Sequence, residues 1–433
     1  MEQQPNKSRR DFLKQSGMLT AGVGALAALA PMPLAYAASD ETIKVGLIGC
    51  GGRGTGAASQ ALSTAGPVKL VAMGDAFADH LQESLKNLTK KFEDRPERVA
   101  VAPDRQFVGF DAYEKVIASD VDLVILATPP HFRPRHFKAA VAANKHVFFE
   151  KPIAVDGAGV RTVLEVTEEA RKKKLSVVCG LQRHHEQAYL DSIKRIHDGA
   201  IGQILAARVY WNMGSLWMKP RQTNWSDMEW QLRNWLYFTW LSGDHINEQH
   251  VHNLDVANWA KQAHPVRCFG MGGRQVRTEP AYGQIFDHHD VHYEYEDGSW
   301  IFSQCRQIPG CLNDVSEHFI GTKGFADLGG RKFEIRPHGK DGESWRYKGG
   351  KEDPYQTEHD DLFASVRKGD ALNEGKWVAE STLTAIMGRM ATYSGKEVTW
   401  EQALNSNLIL GPEKYEWGSL PVDPVAVPGQ TVV

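Results

Sequence analysis

Cysteine is scarce and poorly placed for pairing: the chain holds five, Cys50, Cys179, Cys268, Cys305 and Cys311, with no C-x-x-C among them. An odd count without close spacing argues against a disulfide framework or a thiolate zinc site, leaving only Cys305 and Cys311 able to meet across a hairpin. Net charge is nearly absent too, with 50 lysines and arginines against 53 acids. Because the basic residues are scattered, neither nucleic acid nor a polybasic membrane contact is an expected partner. Repeats are lacking, and the only biased tract is "LPVDPVAVPGQTVV" at the end of the tail, residues 416–433, which reads as a loosely held arm.

The most apolar stretch stands at the N-terminus. Arg9 and Arg10 in "SRRDFLK" precede "GMLTAGVGALAALAPMPL" and then "AYA", ending at Ala37 in the small-x-small pattern of a signal peptidase site. Paired arginines before a mildly hydrophobic, Gly- and Ala-rich segment read as a twin-arginine export signal, which moves proteins already folded. Pro31, Pro33 and the cleavage motif disfavour a membrane anchor. Residues 1–38 are therefore set apart, no stable membrane insertion is expected after cleavage, and the expected location is periplasmic or secreted.

Residues 39–433 are long for one core and suggest two domains. Residues 39–180 alternate short Val-, Ile- and Leu-rich runs with helical segments: "TIKVGLIGCG", "VKLVAMGDA", "DLVILATPP", "KHVFFEKP" and "LSVVCGLQRHH" read as strands of a doubly wound parallel sheet covered on both faces. Residues 181–415 read as an α+β domain with a large, mainly antiparallel sheet. "QILAARVYW", "PVRCFGMGG", "FADLGG" and "KFEIRP" are strands, and "DVHYEYEDGSWIFSQCR" is a hairpin turning at Asp297-Gly298. Helices are expected over residues 244–262, 355–368 and 376–394.

Gly49, Gly51 and Gly54 in "IGCGGRG" satisfy G-x-G-x-x-G between a strand and a helix, and Asp75 closes the next strand 21 positions on. Glycines there permit a tight turn and close approach of a pyrophosphate to backbone N–H groups at a helix start, with Gly52 and Arg53 in the same turn. Asp75 is placed to accept ribose hydroxyls and to repel a 2′-phosphate, so NAD is favoured over NADP.

Lys151, in Glu150-Lys151-Pro152, directly follows the apolar strand "HVFF", and in an open parallel sheet that is the ligand end. Its ammonium either favours a substrate alkoxide or is simply solvated in a connection. In "GDHINEQHVHNLDVANW" a continuous helix brings Asp244, Glu248, His252 and Asp255 within roughly 80° of arc. His252 would then be a general base oriented by Glu248, unless the stripe only faces solvent. A metal is not expected; if one were held, His288, His289 and Asp290 of "FDHHD" are the natural extra ligands.

Together "GCGGRG", "EKP" and the acid-x-x-x-His-x-x-Asp of Glu248, His252 and Asp255 resemble the Gfo/Idh/MocA family of glucose–fructose oxidoreductase and inositol dehydrogenase. The resemblance implies a Rossmann domain binding NAD(P), catalysis at Lys151, Glu248 and His252 on a sugar or cyclitol, and homo-oligomerisation through the C-terminal sheet. Glu248 departs from the family's usual aspartate. "ATPPHFRPRH" resembles the family's cofactor-lining segment, which implies that Thr128, Pro129 and His131 touch the nicotinamide half; Glu150 and Lys151 are expected at the cofactor as well. Arg183 and His184 of "QRHH" either bind substrate hydroxyls or satisfy domain-interface carbonyls, and His250 and Asp255 are further candidates for binding substrate. Trp235 of "WSDMEWQLRNW" either frames a sugar by stacking or belongs to a hydrophobic cover.

An exported NAD enzyme must load its cofactor before transit and recycle it in place. Two activities meet that condition: oxidation of a sugar, glycoside or cyclitol secondary hydroxyl with re-oxidation by a second carbonyl compound, or glycoside hydrolysis through transient C3 oxidation. In the second, His252 or His250 is a candidate for removing the C2 proton.

Overall fold

The computed structural model describes residues 41–433 apart from Ser215, Arg331, Lys340 and Asp341. The segment read as an export signal lies outside the described residues. Among the described residues no helix is long and apolar enough to cross a membrane.

Six parallel strands form the first sheet: β1 Ile43–Ile48, β2 Val68–Asp75, β3 Gln106–Val108, β4 Leu123–Leu126, β5 His146–Phe149 and β6 Val177–Cys179, in the order β3-β2-β1-β4-β5-β6. The order reverses between β1 and β4, and a crevice opens there beyond the carboxyl ends of the strands. Continuous burial of runs such as "LVIL" in β4 follows from helices covering both faces. One of those helices comes from far along the chain: Leu362, Phe363 and Val366 of the helix Pro354–Lys368 join Leu47, Leu70 and Phe148 in one core. The Rossmann body is thus not confined to the contiguous stretch 39–180.

The second sheet has nine strands: β7 Ile204–Met213, β8 Arg267–Gly273, β9 His288–Glu294, β10 Trp300–Gln307, β11 Asp314–Gly321, β12 Gly324–Gly329, β13 Glu334–Pro337, β14 Trp345–Arg346 and β15 Val398–Thr399. Their order is β14-β13-β12-β11-β7-β10-β9-β8-β15, antiparallel except for the central pair β7 and β10. The hairpin joining β9 to β10 turns as expected, Gly298 donating to the Tyr295 carbonyl at 2.9 Å with φ +78°. The helix Gly375–Ser394 is buried almost all round between this sheet and the helix Gly157–Lys172.

Three expectations are corrected. Cys305 is buried in β10 whereas Cys311 is exposed in the following turn, and both are free thiols. The tail is not loose. Trp417 packs on Phe110 and Phe77, Leu420 joins the cluster around Phe77 and Trp240, and Gly429 donates to the Ser394 carbonyl at 2.7 Å. The helix expected over 244–262 is interrupted: His245–Glu248 and Val251–Lys261 are separate, with Gln249 and His250 between them. Both intervening side chains turn toward β10, Gln249 meeting Gln307 and His250 Nε2 lying 2.7 Å from Ser303 Oγ. His250 N–H bonds the His245 carbonyl five residues back, which slips the helical register.

Candidate active site

The turn after β1 is built for close approach. A Cβ at Gly49, whose φ is +95°, would lie 2.6 Å from the Ala127 carbonyl carbon, and one at Gly54 would lie 1.9 Å from the Gly49 oxygen. At Gly51 and Gly52 a Cβ would meet nothing within 4 Å. The loop is therefore wedged against β4 on one side and open on the other. The helix Gly52–Ser63 begins in that open space without a side-chain cap, and its first recorded bond is Thr55 N–H to the Gly51 carbonyl at 2.9 Å. Its leading N–H groups face outward for an anion. Asp75 lines the same cavity and accepts from Cys50 N–H at 2.6 Å and Phe77 N–H at 2.8 Å. Burial raises the Asp75 pKa, and those two N–H donors pull it back. A diphosphate at the open glycines and a diol at Asp75 fit this cavity.

The remaining expected cofactor residues divide. Thr128 and Pro129 line the cavity; His131 does not. The turn Pro130–Phe132 sends His131 outward to Tyr415, Nε2 to Oη 2.7 Å, and edge-on to Trp240. Phe132 and His136 take its place on the wall. Arg53 and Glu150 are bonded to each other, and Arg53 also pairs with the buried Glu358 at 2.9 Å and Gln60 at 2.9 Å. Three engaged nitrogens make Arg53 a brace rather than a pyrophosphate ligand. Glu150 needs that cation because it is enclosed, pressed against Gly180, where a Cβ would stand 2.6 Å from its carboxylate.

Lys151 leaves the carboxyl end of β5, and its Nζ donates to Glu248 Oε1 at 2.9 Å and to the Glu248 carbonyl at 2.6 Å. His252 lies one turn on, stacked on Trp211 with ring centres 5.5 Å apart and planes 19° off parallel. Burial, then the charges of Lys151 and Arg183, hold the His252 pKa well below the ordinary imidazole value, so the ring is neutral at pH 7. Its Nδ1 is buried and has no hydrogen-bond partner among the described residues. A neutral imidazole beside a paired ammonium and carboxylate is an acid–base set.

Arg183 is not a substrate ligand. It is buried in an ion pair with Glu317, and Glu317 also accepts from Asn253 at 2.5 Å and Tyr189 at 3.1 Å. The guanidinium carbon sits 6.0 Å from the Trp211 ring centre, so the order is Glu317, Arg183, Trp211, His252. His250 is likewise corrected: it is fully enclosed, with its ring nitrogens near Asn253 and Ser303. Asp255 is occupied by His184 Nε2 at 2.8 Å and Ser381 at 2.8 Å. His184 is sandwiched between Trp259 and Trp377, both at 3.9 Å, in a separate cavity. Trp235 lines the nucleotide cavity instead of a sugar platform, while Trp230 is buried against Phe238. Trp211 and Glu317 were not singled out in the sequence. Trp211 ends an apolar strand like any core residue, and β11 carries no alternation clear enough to reveal Glu317.

Asp244 does not share a stripe with Glu248. It caps the helix His245–Glu248 at φ +71°, accepts from Phe286 N–H at 2.9 Å and Tyr393 Oη at 2.6 Å, and contacts both His245 and His289. Asp244, His245 and His289 offer atoms within 4.8 Å of one another, but these partners already satisfy the carboxylate.

His185, the last residue of "QRHH", sits between Asp361 at 2.6 Å and Glu374 at 3.2 Å. Burial lowers its pKa, but the two carboxylates outweigh that and push it up to about 10. The stabilisation from this protonated ring is complete below the unfolded value of about 6.5 and is lost as pH rises through about 10. Thermal melts should show the midpoint falling from pH 7 to 10, and His185→Gln should flatten that slope; a parallel slope in the variant would assign it to other groups.

A glycine turn and diol acceptor at the switch point of a Rossmann sheet, with Lys151 after β5 meeting Glu248 from a second, sheet-based half, define a two-part dinucleotide-binding protein. Residues 43–180 match the Gfo/Idh/MocA oxidoreductase family with its NAD-binding Rossmann fold. The chain is similar to that family over this stretch. It is 28% identical over 222 residues to a glycosyl hydrolase family 109 protein of Streptomyces coelicolor, covering 47% of this chain and 44% of that one. Against inositol 2-dehydrogenase of Acidothermus cellulolyticus the identity is 30% over 172 residues, covering 40% and 46%. The chain thus spans less than half the length of these curated relatives. The fold is also that of aldose-aldose oxidoreductase from Caulobacter crescentus, with a TM-score of 0.65, 16% identity, and coverage of 83% of this chain and 100% of that one.

Proposed function

We propose that this protein is an NAD-dependent oxidoreductase acting on a secondary hydroxyl of a sugar, glycoside or cyclitol, with the cofactor held tightly and recycled in place. The observation that carries this reading is the meeting of Lys151 Nζ with Glu248 beside a neutral, buried His252 beyond the carboxyl end of β5. When bound, NAD supplies hydride acceptance and return. Gly49, Gly51, Gly52 and Gly54 shape the pyrophosphate cradle, Asp75 accepts ribose hydroxyls, and Thr128 and Pro129 wall the cleft. His252 takes the hydroxyl proton as the carbinol becomes a ketone and returns it in the reverse direction. Lys151 donates a hydrogen bond to the substrate oxygen and favours its developing negative charge, and Glu248 holds that ammonium in position.

The match to a glycosyl hydrolase family 109 protein supports a second reading, net glycoside hydrolysis. Transient oxidation at C3 acidifies the C2 proton, elimination expels the aglycone, water adds across the double bond, and the ketone is reduced again. Because His250 is enclosed, proton removal at C2 falls to the Lys151, Glu248 and His252 set. Incubating purified holoenzyme with an aryl glycoside separates the two. Accumulating keto-sugar or standing NADH supports oxidation, aglycone release without net NADH supports hydrolysis, and neither product with any carbonyl acceptor defeats both.

Two further parts of the proposal concern setting. The paired arginines and the dinucleotide cradle together support folding around NAD in the cytoplasm, followed by export to the periplasm or beyond. Leu205, Phe269, Met271 and Phe302 leave apolar surface exposed on β7, β8 and β10, which supports self-association of copies through the second sheet.

A further inference from the structure

The segment Leu410 to Leu420 has no regular secondary structure, yet it is fastened at both ends. Leu410 N–H bonds Asp156 at 3.0 Å, on the Rossmann side. At the other end Leu420 N–H bonds Asp227 at 3.0 Å, its carbonyl accepts from Gln231 at 2.7 Å, and Gly418 accepts from Met228 N–H at 3.1 Å. Those last partners belong to the helix Asp227–Arg233, which leads into Trp235; Leu232 and Trp235 form one wall of the nucleotide cavity.

Between the fastenings lie two aromatic side chains. Tyr415 bonds His131 and packs on Phe132 at 5.4 Å. Trp417 lies across Phe110 at 4.6 Å and Phe77 at 5.4 Å, ring centre to ring centre. Phe77 and Phe110 line that cavity too, beside Asp75, and belong to the same apolar cluster as Leu232 and Trp235. Trp417 itself is 47% exposed, so its indole does not hold up a core. Its packing is directed at the two rings that enclose the Asp75 end.

We propose that this C-terminal strap is part of the dinucleotide site, a latch that holds the aromatic walls closed over the adenosine half and slows release of NAD. The proposal rests on the NAD reading of the cavity. Trp417 packs on both Phe77 and Phe110, and the backbone bonds at 418–420 tie the same segment to the helix that carries Leu232, so loosening either set of lining residues must disturb the strap. The latch therefore acts on the rate of departure more than on recognition.

The test loads wild type and Trp417→Ala with radiolabelled NAD, removes free ligand by gel filtration, and chases with excess unlabelled NAD. Trp417→Ala should release label at least about tenfold faster, with the apo proteins melting at the same temperature. Tyr415→Phe, which removes only the bond to His131, should fall between them. Equal release from wild type and Trp417→Ala overturns the latch while leaving NAD binding intact. Faster release together with an equally large fall in apo melting temperature overturns it as well, because the tryptophan would then be structural. Wild type that takes up no label defeats the NAD reading and the latch together.

Discussion

Replacing Lys151 with methionine lowers kcat by about two to three orders of magnitude while the purified protein still carries NAD. The methionine keeps most of the unbranched length of the side chain but removes the charge that holds Glu248 at 2.9 Å and, in the proposed mechanism, meets the substrate oxygen. It also removes one of the charges that depress the His252 pKa, so the acid limb of the pH–rate profile should move upward. Turnover and pH profile together decide the matter: an unchanged rate removes the proposed site, and a slow enzyme with an unmoved acid limb separates Lys151 from His252. The cradle lies on other strands, so cofactor content should match wild type.

Replacing Glu317 with alanine destabilises the protein by about 3–5 kcal/mol, a fall of roughly 4–6 °C in melting temperature for a chain this size. The carboxylate is fully buried and compensates Arg183, whose cation has no water to turn to; Asn253 and Tyr189 also lose their acceptor. The damage should reach catalysis, because Arg183 supports Trp211 and Trp211 supports the His252 ring. The double variant Arg183→Met, Glu317→Leu should recover much of the stability, since it removes both charges. A double variant as unstable as the single one would mean that packing volume, not the unpaired cation, sets the cost.

What the sequence carried well was local. The glycine turn, Asp75, Lys151 and the Asp297-Gly298 hairpin each depend on backbone constraints within a few residues: the turn and Asp75 share one cavity, Lys151 follows β5 and meets Glu248, and Gly298 turns the hairpin. What it carried poorly depended on partners distant in the chain. Glu248 and His252 were assigned to one helical stripe, but Gln249 and His250 are drawn to β10, more than fifty residues later, and that attraction breaks the helix. Arg183, His250 and Asp255 have the chemistry of ligands, and only the positions of Glu317, Ser303, Asn253, His184 and Ser381 reveal that their polar atoms are already engaged. A periodicity calculation contains no term for such contacts. His131 was misassigned for a similar reason, because two consecutive prolines set a turn whose direction follows from Trp240 and the tail.

The helix Pro354–Lys368 has a consequence for biosynthesis. It supplies Leu362, Phe363 and Val366 to the layer beneath the first sheet, and Arg53, at the start of the cradle helix, is anchored by Glu358 from the same element. A nascent polypeptide cannot complete its nucleotide cleft while those residues are still in the ribosome. Loading must await nearly the whole translated length, and an arrested fragment ending before residue 354 should emerge with an unfinished binding half.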